Sequence, residues 1–103
     1  MKESQETVRT AAARYGLSRD PAVRALDAAS ELGELAKEIL KATGYGERPL
    51  TAGNGLREEL GDCVFALLNL ADVLGLDAAD ALCGALGKYE ARFRAKGEIS
   101  SGG

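Results

Sequence analysis

The segment Cys63–Leu74 reads CVFALLNLADVL, with neither glycine nor proline, and on a helix it is apolar almost all the way round. It is long for an ordinary strand. A helix this apolar on every side belongs at the centre of a bundle or in a subunit interface. Whatever the chain folds into must supply neighbours for this rod. At 103 residues, with 5% aromatic residues and no Trp, the chain offers one thin domain core of Ala, Leu and Val. Such a core gains from self-association, so a homo-oligomer is expected.

Periodicity and punctuation place three more helices around it. The first runs from about Glu3 to Tyr15, with Val8, Ala11, Ala12 and Tyr15 on one face, and ends at Gly16. The second starts at Asp20, a good N-cap, followed by Pro21 at the first helical position, where its missing N–H costs nothing. Val23, Leu26, Ala29, Leu32, Ala36, Ile39 and Leu40 then recur at steps of three and four, until Gly44 stops the helix. Residues 44–55, GYGERPLTAGNG, form a long loop. Asn54 caps the apolar helix, expected over Leu56–Leu74 with Gly75 as its stop, and Asp77 caps a fourth, Ala78–Ala95, ended by Gly97. The domain covers residues 1–97, and 98–103 make a frayed tail. The expected class is all-α, a four-helix bundle, with no strand.

Charge and cysteine usage narrow the function. A net charge of −3 with no dense basic cluster argues against a nucleic-acid groove. It leaves a nucleotide substrate open, because a bound metal can reverse the local sign of a site. Cys63 and Cys83 sit in apolar helical stretches without CxxC spacing, and the chain has no His. They read as reduced core residues, with a disulfide or a reactive thiol as the alternative. The segment MKESQETVRT lacks the apolar core of a signal peptide, and no stretch reaches ~18 apolar residues. A cytoplasmic protein without a membrane span is expected.

Two carboxylate pairs carry the chemistry. Glu31 and Glu34 form ExxE on the second helix, and Glu59 and Asp62 form ExxD on the third. Each pair lies on one face, one turn apart, and Glu38 shares the face of the first. The 44–55 connection makes the two helices antiparallel neighbours and brings the pairs to one level. Both border apolar positions (Leu35; Leu60 and Cys63), so solvent alone relieves their repulsion poorly. An all-oxygen ligand set without imidazole selects a hard cation, Mg²⁺ or Mn²⁺, over zinc or di-iron. A single ExxE is ordinarily a solvated face; two on consecutive helices edging the core carry more.

The runs SELGELAKEI, REELGDCVFALLNLADVLGLD and KYEARF resemble the MazG-like all-α nucleoside triphosphate pyrophosphohydrolases over about residues 20–95. EELGD ahead of an apolar helix is the most specific part, and 24 residues separate Glu34 from Glu59. The resemblance implies a MazG-like bundle completed as a homodimer or homotetramer. It implies Mg²⁺ held by Glu31, Glu34, Glu59 and Asp62, and cleavage of an NTP or dNTP between the α and β phosphates. It also implies cations from the fourth helix near the phosphates, here Lys88 and Arg92 in KxxxR spacing. Many relatives carry a Glu doublet at the start of ExxE, where this chain has Ser30. Serine cannot take a proton from water, which leaves Glu38, Glu58 or a water held by Glu31 to act.

Such chemistry is largely positioning and charge neutralisation. Lys88 and Arg92 are the first choices for the phosphates, Lys37 and the loop residue Arg48 the lesser ones; the alternative for each is a solvated charge. Asn69 and Asp72 follow Asp62 on the same helical face. Asn69 either reads a base or sugar hydroxyl or caps a neighbouring backbone group. Phe65 packs or stacks, and Tyr45 is a loop residue able to stack on a base. Two rival readings stand beside this one: a phosphoribosyl-ATP pyrophosphatase, and a helical dimerisation module with no catalysis.

Overall fold

In the computed structural model, which describes residues 1–51 and 53–97, the chain forms α1 (Lys2–Arg14), α2 (Pro21–Ala42), α3 (Asn54–Val73) and α4 (Ala78–Lys96). Among the described residues there is no strand, and no helix is long and apolar enough to cross a membrane. The expected tail 98–103 lies outside the described residues.

Local chemistry accounts for the helix ends. The Asp20 carboxylate accepts from the Ala22 N–H at 2.9 Å, ahead of Pro21. Asp77 accepts from Ala79 at 2.8 Å and Asp80 at 3.2 Å, and Gly97 closes α4 in the left-handed region. The start of α3 differs from expectation. The capping position falls on Gly53, whose extended backbone makes no side-chain cap bond, and the helix begins at Asn54 rather than Leu56. The turn after α2 needs its glycine: Gly44 has φ +57°, and a Cβ there would sit 2.7 Å from Arg48 Nη1. The Arg48 guanidinium is instead free to cover the turn, where Nη2 donates to the Lys41 carbonyl at 3.2 Å.

Packing sets the direction of α2, which the apolar spacing left open. This helix packs against α3. Its half-buried residues between Arg24 and Glu38 are Arg24, Asp27, Ala28, Glu31, Leu35 and Glu38, which form a largely charged face. The apolar stripe Val23, Leu26, Leu32, Ile39 and Leu40 is exposed, Leu26 by 73%. Likewise α3 is covered on one side only. Ala66, Leu68, Asn69 and Asp72 are buried, whereas Leu60, Val64, Leu67 and Leu74, spaced by four, three and seven, face out. A third naked stripe, Leu82, Leu86, Tyr89 and Phe93, runs along α4.

The result is an open arrangement. The radius of gyration is 16.5 Å, against about 13 Å for a compact domain of this length. The accessible surface is 7332 Å², against roughly 5,500 Å² for a compact monomer of this mass. Correspondingly, Cys83 is exposed rather than in a core, Cys63 is half-buried, and both are free thiols. Tyr15, expected on the buried face of α1, is 64% exposed.

What closes the chain on itself is polar. α1 lies across α3, where Arg9 Nε donates to Asp72 Oδ1, and Arg19 Nη1 donates to Asp72 Oδ2 at 2.8 Å. Burial works to raise the Asp72 pKa, but the hydrogen bonds and charges of Arg19 and Arg9 outweigh it and hold the carboxyl below its ordinary value. In turn, Asp72 raises the Arg9 pKa.

Because the folded-state pKa of Asp72 is depressed, its stabilisation is complete above the unfolded carboxyl value of about 3.9 and fades as pH falls below it. Thermal melts should therefore show Asp72→Asn roughly 5–10 °C below the parent at neutral pH, with the gap narrowing on acidification.

Candidate functional site

The charged face that α2 turns toward α3 places the carboxylates. Glu38 Oε2 lies 4.0 Å from the Cβ position of Gly55, at the start of α3. Further back along α2, Glu31 meets Glu59 and Asp62 of α3, so the two helices run antiparallel. One carboxylate oxygen each from Glu31, Glu59 and Asp62 lies within 4.8 Å of the others. Glu31 and Glu59 are half-buried, while Asp62 opens to solvent.

Electrostatics record the crowding. Burial first, and then the charges of Asp62, Asp27 and Glu34, push the Glu31 carboxyl above its ordinary value. Glu59 is raised by burial and then by Asp62, Glu34, Glu31 and Glu38. The neighbouring Cys63 thiol is pushed up by burial and by Glu31, Glu59 and Asp62, which makes it a poor thiolate nucleophile. Like charges at such range disfavour ionisation unless a cation joins them. Glu34 and Glu38 contribute their field without entering the tight triad.

The oxygens fit a hard divalent ion in kind and number. Octahedral Mg²⁺ takes oxygen ligands at 2.0–2.1 Å and retains several waters. Three oxygens inside 4.8 Å need only a small inward rotation to share such an ion, and Asp62 leaves the outer side open. Imidazole-seeking metals lack their ligand in a chain without His, and the Cys63 thiol stands outside the triad.

The other residues singled out from sequence fall in different places. Asn69 is 1% exposed, and its Nδ2 has no hydrogen-bond partner among the described residues; the same holds for Arg24 Nε on α2. Asp72 is committed to Arg9 and Arg19, and Arg48 to the turn after α2. Lys37 and Tyr45 are exposed, Glu58 points outward beside Glu59, and Phe65 is half-buried toward α1. Lys88 and Arg92 form no ion pair with the acidic cluster. Lys88 Nζ stands 5.3 Å from the Tyr89 ring centroid, and α4 makes extended packing with neither α2 nor α3. Sequence reasoning passed over Arg9, Arg19, Arg24 and Gln5. Arg24 alone carried a signal, one helical repeat before Glu31 on the same face.

Residues 22–95 match the family model of the MazG nucleotide pyrophosphohydrolase domain. No curated protein and no solved structure gives a match.

A raised carboxyl pKa means that the folded chain holds these protons more tightly than the unfolded one. Stability should thus fall as pH rises from about 4.3 through the raised values of Glu31 and Glu59, and stay lowered at neutral pH. Calorimetry of the metal-free protein should show Glu59→Gln more stable than the parent at pH 7. Added Mg²⁺ or Mn²⁺ should raise the parent's melting temperature and leave the variant's unmoved.

Proposed function

Because this chain belongs to the MazG nucleotide pyrophosphohydrolase family, we infer that it is a magnesium-dependent enzyme cleaving an NTP or dNTP between the α and β phosphates, releasing the monophosphate and pyrophosphate. The observation that carries the reading is the triad itself: acids from two helices within 4.8 Å, two of them half-buried, inside the matched segment.

Glu31, Glu59 and Asp62 would hold the cation, with Glu34 beside them as a fourth oxygen donor. Mg²⁺ or Mn²⁺ bound there would supply neutralisation of phosphate charge and a more acidic water. Glu38 is half-buried on the same face and outside the triad. With serine at position 30, it is the carboxylate left to take the proton as water adds to phosphorus and the bridging anhydride oxygen departs with the leaving group. The buried Nδ2 of Asn69, without a partner among the described residues, supports a role in donating to an oxygen of the base or sugar.

The cations come from another copy. Among the described residues α4 makes extended packing with neither α2 nor α3, which favours a neighbouring subunit as the source of Lys88 and Arg92 at the phosphates. The three exposed apolar stripes support the same reading. The surface in excess of a compact monomer exceeds the ~800 Å² that one partner buries in a standard interface. A homodimer or homotetramer covers it.

Assay of the common NTPs and dNTPs, and of phosphoribosyl-ATP, with pyrophosphate detection should show Mg²⁺-dependent release. Glu59→Gln should lower it at least about 100-fold with helicity intact, and an undiminished rate in that variant would falsify the assignment. Light scattering after gel filtration should show a dimer or tetramer, and Leu86→Glu on the α4 stripe should shift it toward monomer.

A further inference from the structure

Gln5 lies outside the segment that matches the family model, and the carboxylate cluster makes no use of it. It is 5% exposed, although it sits at the start of α1 on a chain that leaves most of its leucines open. Both ends of its amide are engaged: Nε2 donates to the Leu76 carbonyl at 2.8 Å, and Oε1 accepts from the Ala78 N–H at 2.8 Å. These groups flank the corner where α3 gives way to α4. The Ala78 N–H is the first of the donors a helix leaves without an internal partner, and Asp77 serves the next two. An amide offers a donor and an acceptor together; a carboxylate lacks the donor and an ammonium the acceptor.

We infer that Gln5 is a positioning residue, setting the direction in which α4 leaves the corner and so where Lys88 and Arg92 arrive. The inference rests on the reading above that these cations serve the acidic site. Three observations support it. The platform is fixed, because Arg9 on the next turn of α1 is tied to Asp72 of α3. Among the described residues the helix packed on α4 beyond the corner is α1, and the apolar stripe of α4 is bare. Leverage is long: Arg92 stands fourteen residues beyond Ala78, about 21 Å along the helix, so a 15° change at the corner moves it by about 5 Å.

Amide hydrogen exchange in the native chain should show the Ala78 N–H protected, although helix geometry alone would leave it open. Gln5→Leu, which fills the space without polar atoms, should speed that exchange about ten-fold or more. In the same variant, KM for the preferred nucleotide should rise about ten-fold, with kcat changed less than about threefold. Gln5→Glu still accepts from Ala78 at a helix N-terminus that favours negative charge. It should keep the amide protected and recover part of the KM. A side chain that merely fills space predicts the reverse order, with Leu at the native values and Glu impaired; that order overturns the inference. So does an Ala78 amide in the native chain that exchanges as in an unstructured peptide, a result independent of how any variant folds. Protected Ala78 in a chain that hydrolyses no nucleotide would overturn the assigned reaction and the role of Lys88 and Arg92, while leaving the geometry of the clamp in place.

Discussion

Like-charge crowding between two helices is the constraint from which the rest of the structure follows. Glu31, Glu59 and Asp62 can converge within 4.8 Å only if α2 turns its charged face inward, toward α3. A helix has one circumference, so the leucines of α2 are then carried to the outside. The same geometry leaves α3 covered along one side. The bare stripes on α2, α3 and α4 are therefore the counterpart of the acidic site, and the open shape of the chain is a consequence of where its negative charges had to go.

Much of this was legible in the sequence, and what failed did so for an identifiable reason. The Asp20–Pro21 start, the Asp77 cap and the Gly97 stop act through bonds between neighbours in the chain, so local chemistry was enough to place them. The ExxE and ExxD spacings located the acids on adjoining helices for the same reason. Hydrophobic periodicity found the apolar stripe of α2 but not its direction. Period alone reports that one face will be buried, not by what, and in one chain the half-buried face is the one bearing Arg24, Glu31 and Glu38. Cys83 and Tyr15, expected inside, lie exposed on helices whose cover the single chain does not supply.

The contacts missed altogether are long-range and polar. Gln5 finds partners more than seventy residues away, and Arg9 and Arg19 find Asp72 across 63 and 53 residues. No spacing rule links such positions, and glutamine or arginine on a weakly apolar helix reads as an ordinary solvated residue. Yet these bonds decide where α1 lies and how the α3–α4 corner is held. Apolar patterning sets how many helices there are; here buried polar groups set how they are joined.

The anchorage at Asp72 has one further consequence. Its two carboxylate oxygens are claimed by arginines from separate parts of the chain, Arg9 within α1 and Arg19 just ahead of α2. Loss of either guanidinium leaves the acid with a charged partner, whereas loss of both strands a buried anion. Single changes at Arg9 and Arg19 are thus mutually buffered, and their effects compound rather than add. A lineage drifting through one of these substitutions would keep its fold while becoming intolerant of the second, so that the history of one arginine determines whether the other can still be exchanged.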